Sequence, residues 1–280
     1  MVNLPSTIYW DVDGTSLQTW ARNISTLGGS RWGVPSMRGS NIMVPGRAGA
    51  LWQPKVADSR TITLAMWVRG TDDNGVLGTT PKKTFTANWR ALQQLLWKPD
   101  GTQFSLTKRW DDGSGVKSAT ALAEFAGGLE PTMMGPYGAK FTVDLLLADP
   151  YFYGTQVTST LAVGVGQVVN NAGDVPATPY GMSLKFNGAL TNGKVTNSTV
   201  SPNVWAQWTG AISGGDGITL DVDEFTAIKQ SDSSNQIGGV SYSPGPNGEW
   251  FYMAKGNNTL TLTASAGAGT CTFKHRPAYL

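Results

Sequence analysis

Apolar and polar residues alternate along much of this chain with a period of two, the spacing of a strand with one buried face. In Thr61–Val68, Ile62, Leu64, Met66 and Val68 fall on one side, and Thr61, Thr63, Ala65 and Trp67 on the other. Similar runs at Gln103–Trp110, Ser118–Phe125 and Ala139–Leu147 predict further strands. Asp111-Asp112-Gly113 lies between two of them and predicts a hairpin turn, because Asp-Gly accepts the positive φ such turns need. One stretch breaks the pattern. Phe85, Trp89, Leu92 and Leu96 recur at steps of three and four, which predicts a helix over 85–97. Thr84 or Asn88 would cap its start and Pro99-Asp100-Gly101 would end it. Its single apolar stripe predicts packing against a sheet.

After Gly154 the texture changes. Short strand patterns fall at 158–165, 181–186, 217–222, 249–253, 259–264 and 271–274. Turn signals separate them, including Asn187-Gly188, Asn192-Gly193, Gly214-Gly215 and Pro246-Asn247-Gly248. No convincing helical period occurs there. The prediction is an all-β, mainly antiparallel chain of two β-sandwich domains. Residues 1–154 form the first, with the helix, and 155–280 the second.

Composition sharpens this picture in two ways. The 21 Lys and Arg against 19 Asp and Glu leave +2, which gives no global field for gripping nucleic acid or an anionic membrane. Charged residues are only 14%, against roughly 25% in an average soluble domain, while Trp numbers 11 and Gly 35. Such a chain buries its aromatics in its own cores or is covered by partners. Cys271 is the single cysteine, so no intrachain disulfide forms, in keeping with a reducing cytoplasm. The start MVNLPSTIYW lacks a basic region followed by an apolar one, so no signal peptide is expected. Apolar runs fall far short of the ~20 residues that span a bilayer, so no membrane insertion is expected.

Candidate chemistry is sparse. Asp11-Val12-Asp13-Gly14-Thr15 after an apolar run resembles the nucleophile motif of haloacid-dehalogenase-type phosphatases. Asp216 and Asp221 resemble that family's distal acidic pair, but their spacing is one residue too long and the alternating strand–helix pattern is missing. Asp11–Gly14 reads instead as a β-turn. His275 is the only histidine, Cys271 lies in a strand pattern, and no phosphate loop or dinucleotide fingerprint is present. No catalytic, cofactor-binding or metal-binding residue is assigned, and the chain is not expected to be an enzyme. Trp205, Trp208 and Trp250 could form a glycan-stacking platform or fill the second core at alternating positions.

Two stretches carry a resemblance. The first is Ile42–Leu51 with Pro45-Gly46-Arg47-Ala48-Gly49, followed by Trp52, Asp58-Ser59-Arg60 and the strand 61–68, and later by Lys140–Leu147 leading into Asp149-Pro150-Tyr151-Phe152. The second is Asn171-Ala172-Gly173-Asp174 with Pro179. It is followed in order by Asn197-Ser198-Thr199, Ile218–Asp221, Trp250-Phe251 and Gly256-Asn257-Asn258. In this order they resemble the distal tail proteins of siphophages, over nearly the whole chain. The resemblance implies a split-barrel-like first sandwich and a galectin-like second one. It implies a hexameric ring joining the tail tube protein to the baseplate hub, in the virion at the tail tip, assembled in the host bacterial cytoplasm. Genomic DNA would pass only as cargo, and a host-surface glycan is a further partner if the second domain aids adsorption.

A closed ring uses heterologous contacts, so two different faces must adhere. The loop-like stretch 31–52 suits such a contact, with Arg31, Trp32, Arg47 and Trp52 as candidate interface residues. The other reading of this segment is that Gly46 and Gly49 set a turn and Trp52 fills the core. With +2 overall, the pore wall is expected to be mixed or mildly negative.

Overall fold

The computed structural model describes residues 8–24, 30–43, 48, 50–51, 53, 55–113, 115–243 and 250–280. It divides into two units, Met1–Phe152 with Leu280, and Tyr153–Tyr279. Both are built mainly of antiparallel strands.

The first unit contains β1 (Ile8–Val12), β2 (Thr15–Ser16), β3 (Arg22–Ile24), β4 (Arg60–Arg69), α1 (Pro81–Leu96), β5 (Phe104–Asp111), β6 (Val116–Gly128), β7 (Thr132–Met133) and β8 (Gly138–Leu147). The strands hydrogen-bond in the order β2-β1-β5-β6-β8-β4-β3, with β7 beside β8. The sheet curls because β6 serves both halves. Its first eight residues pair with β5, and Glu124–Gly128 pair with β8 through a bulge between Phe125 and Gly127. Bulges bend a strand and raise its twist. Ile62, Leu64, Met66 and Val68 are buried, as their alternation predicts, opposite Leu145, Val143, Phe141 and Ala139 on β8.

The helix begins four residues before the expected start. Pro81 occupies its first turn, where a fixed φ and a missing N–H are harmless, and no side chain caps it. Trp97 lies just beyond the end. Leu92 and Leu96 are buried and Trp89 meets Phe141 edge-on at 5.0 Å, so the predicted stripe does face the sheet. Asn88 is a tether rather than a cap: its Nδ2 donates to the carbonyls of Arg69 (2.8 Å) and Thr71 (2.9 Å).

The second unit is a sandwich of two five-stranded sheets. One runs β9 (Val157–Ala162), β18 (Thr270–His275), β11 (Ser183–Asn187), β14 (Gly217–Asp221), β15 (Thr226–Lys229). The other runs β10 (Gly166–Asn171), β17 (Gly256–Thr263), β12 (Lys194–Asn197), β13 (Val204–Trp208), β16 (Val240–Ser243). Their inner faces share one core that includes Leu184, Phe186, Leu220, Ala206, Leu262 and Phe273. The strand expected over 249–253 does not form in its described part. Met253 makes only an isolated bridge to Ala177, while Trp250 and Phe251 turn into the core. Glu249 and the turn Pro246-Asn247-Gly248 lie outside the described residues.

The family-like motifs here have physical causes. Asn171 Oδ1 accepts the Gly173 N–H, and a Cβ at Gly173 would lie 2.5 Å from the Ala278 carbonyl oxygen. Buried Asn197 donates to Asn258 Oδ1 and to the Tyr252 carbonyl, both at 3.0 Å. Asn258 in turn donates to the carbonyls of Ala254 and Gly256, both at 2.8 Å. A buried amide must find such partners or cost free energy, which explains asparagine at both positions.

Candidate functional site

The Asp-rich motifs are structural. Asp13 (φ 47°) and Gly14 (φ 75°) form the turn between β1 and β2. Asp11 accepts from Arg109 at 2.7 Å. Asp13 accepts the Ser105 N–H at 2.9 Å and pairs with Lys98 at 3.1 Å. Asp216 accepts from the Gly217 N–H and from Ser231, and these bonds, with Lys229 nearby, hold its carboxyl below the usual range. Among the described residues no three His, Cys, Asp or Glu side chains gather as metal ligands would. Two open grooves of about 800 and 830 Å³ flank α1, and neither is lined by a carboxylate, an imidazole or a thiol.

Of the three tryptophans read as either glycan-stacking or core-filling, Trp208 and Trp250 lie in the core, which removes them as glycan-facing candidates. Trp208 is buried on the inner face of β13, and Trp250 is buried edge-on to Phe225 at 5.3 Å. Alternation along β13 explains the split: Val204, Ala206 and Trp208 point in, so Trp205 points out. Trp205 is half-buried, with Lys194 Nζ 4.1 Å from its ring centroid. It sits in a row with Ser243, Thr196 and Thr261 across the outer face.

The first unit carries the more unusual surface. Between Arg31 and Arg60 the chain leaves the sheet and returns through two short antiparallel ladders. Met37–Arg38 pair with Val56–Ala57, and Ile42–Met43 pair with Ala50–Leu51. The base is fastened by the Asp58 N–H to the Ser36 carbonyl (2.8 Å) and by a backbone bridge between Arg31 and Thr63. This hairpin-like arm exposes its apolar residues: Val34 is 73% exposed and Met43 81%, and Met37, Ile42, Leu51 and Val56 are also exposed. Two-residue ladders with exposed apolar side chains have too little buried area to persist by their own packing. A partner surface would supply what is missing.

Arg60 holds the base from inside. It is 6% exposed, donates from Nη1 to the Gly33 carbonyl at 3.1 Å, and lies 5.2 Å from the Phe152 ring centroid. Its Nε has no hydrogen-bond partner among the described residues, and burial lowers its pKa. Trp32 is partly exposed and leans on buried Trp10 at 6.2 Å. Arg31 and Trp32 therefore stand at the root of the arm, while Arg47 and Trp52 lie outside the described residues. The apolar exposure of Val34, Met37 and Met43 has no periodic signal, which is why the alternation pattern misses it. One sequence signal does mark the arm: from Gly14 to Ala57 there is no Asp or Glu, yet Arg22, Arg31, Arg38, Arg47 and Lys55 occur.

No family model and no curated protein matches the chain. Among solved structures it is similar to the SPP1 Dit protein, a paradigm of the hub adsorption apparatus in phages infecting Gram-positive hosts. The TM-score is 0.63 at 15% identity, over 96% of this chain and 98% of that one. Chains of the phage P2 baseplate in its activated conformation align with TM-scores of 0.41 and 0.38 at 8% and 9% identity. Those alignments cover 98% and 95% of this chain and 98% and 97% of the baseplate chains, at a similarity too weak to argue a shared fold.

Proposed function

We propose that the chain is a structural subunit of a phage tail tip, in which residues 1–154 build a ring and residues 155–280 are carried on it. The observation that carries this reading is the arm of the first unit, fastened at its root and exposing Val34, Met37, Ile42, Met43, Leu51 and Val56. A fold shared end to end with SPP1 Dit supports it. In this reading about six copies close a ring, the family's number. One side meets the last ring of the tail tube and the other the baseplate hub, and DNA passes through at ejection. The protein works by geometry and contact, with no reaction to catalyse.

Light scattering of the purified protein at two concentrations tests this reading. The expected result is a species near six times 29.7 kDa. A monomer at both concentrations counts against self-assembly.

A second reading is favoured by one observation: Trp205 sits on an outward face of hydroxyl side chains, with Lys194 over its ring. A glycan could stack there on displacing Lys194, and the two roles are compatible. Saturable glycan binding by the full chain, lost in Trp205→Ala, would establish it. Binding unchanged by Trp205→Ala would dismiss this site.

A further inference from the structure

The arm has a counterpart on its own molecule, at the far end of the strand that leaves its root. β4 starts at Arg60, at the arm's root, and ends at Arg69, where the chain enters the loop 71–79. Ten residues of strand separate the two features by about 30 Å. The loop is pre-formed. Asp72 Oδ1 accepts the N–H groups of Asn74 (3.0 Å) and Val76 (2.8 Å), and the Gly75 N–H donates to the Asp72 carbonyl at 3.0 Å. Gly75, at φ 86°, lies against the ring of Trp20, where a Cβ would come within 3.0 Å of Cγ. Thr71 Oγ1 donates to the Trp20 carbonyl, which fixes the loop to that residue.

The loop nonetheless places apolar side chains in water. Val76 is 62% exposed, Leu77 53%, and Trp20 is exposed beside them. A loop that spends its hydrogen bonds on holding two aliphatic residues outward is suited to a partner. Its own charges are Asp72 and Asp73, with no cation from 71 to 80. Lys82 and Lys83 follow on α1 and line a separate groove with Arg90. At the other end of β4 the arm is apolar and carries Arg31, Arg38, Arg47 and Lys55, with Asp58 at its base as its single acid. Among the described residues Arg31, Arg38, Lys55 and Asp73 belong to no ion pair.

We infer that the arm of one copy docks on the Trp20–Asp73–Val76–Leu77 patch of the next copy, cationic apolar surface against anionic apolar surface. This rests on the ring reading and names the two faces that such a ring requires. A heterologous contact joins different patches on successive copies, and here the two patches stand at opposite ends of one rigid strand. Rim charges of opposite sign select that pairing and steer its encounter. Duplex DNA is the other occupant that a cationic arm could take. The interleaved Val34, Met37, Ile42 and Met43 argue against it, because phosphate contacts call for cations and polar donors rather than aliphatic side chains.

Two full-length variants with reversed charge test the contact: Arg38→Glu with Lys55→Glu on the arm, and Asp73→Lys on the loop. All three positions are exposed, so the fold is retained, and circular dichroism checks it. At the altered positions each variant alone sets like charge against like, and at least a tenfold higher concentration is expected before it assembles. An equimolar mixture restores opposite charges in an alternating ring and should recover the wild-type mass. If each variant alone assembles as the wild type does, or if the mixture fails to recover, this contact is wrong while the ring stands. A wild-type chain that stays monomeric fails the ring itself, and this inference with it. If the arm variant keeps the wild-type mass and instead loses salt-sensitive binding of duplex DNA, the arm belongs to DNA.

Discussion

Arg60→Met separates holding the arm from holding the fold. The substitution removes a charge-assisted hydrogen bond to Gly33, worth about 1.5–3 kcal/mol. It also removes a cation–π contact with Phe152, worth about 0.5–2 kcal/mol. Against these stands relief of a buried cation that has an unpartnered Nε and no ion pair among the described residues, and desolvating such an ion costs several kcal/mol. Met fills much of the same volume, so little cavity opens. The opposing contributions cancel to within about 2 kcal/mol, and the urea midpoint followed by tryptophan fluorescence should move little. The arm, however, loses the anchor at its root. Trypsin should then cut after Arg38 and Lys55 several-fold faster than in the wild type, at unchanged global stability. A loss above about 4 kcal/mol would show that Arg60 belongs to the core balance instead. Cleavage at the wild-type rate would show that the arm does not depend on it.

Two further predictions concern the second unit. His275 is fully buried and stacked on Phe273 at 5.4 Å, and among the described residues its ring nitrogens make no hydrogen bond of good geometry, the Asn170 backbone being the polar group nearby. Burial lowers its pKa, partly offset by the Asn170 backbone. The unfolded chain therefore takes up a proton that the native state refuses, and stability should fall as pH drops below about 6.5. As the only histidine, it should account for the slope between about pH 5 and 6.5, and His275→Phe should flatten it in pH-dependent urea melts. Gly239→Ala would place a Cβ 2.2 Å from Trp208 Cζ3. Overpacking of this kind costs about 1–3 kcal/mol, read as a lower thermal midpoint with a changed tryptophan emission.

Much of the fold is legible from alternation alone, because a half-buried strand must repeat every two residues. The buried faces of β4, β8 and β14 follow directly from it. What escapes is set by other physics. The first turn of α1 carries Pro81, Lys82 and Lys83, with no apolar period to announce it. The strands β10, β12 and β16 are short and rich in Asn, Thr and Ser, so the pattern marks no strand there. Trp205 and Trp208 look equivalent in sequence, and only the strand's direction decides which one is buried. The sequence marks the arm by its run of cations without an acid from Gly14 to Ala57, and that run gains meaning only once the loop 71–79 is seen at the far end of β4.

Electron microscopy of the purified chain tests the central claim most directly. The account predicts closed rings of uniform size in face-on averages, about six copies around an opening wide enough for duplex DNA. Monomers, or open filaments of variable length, would contradict it.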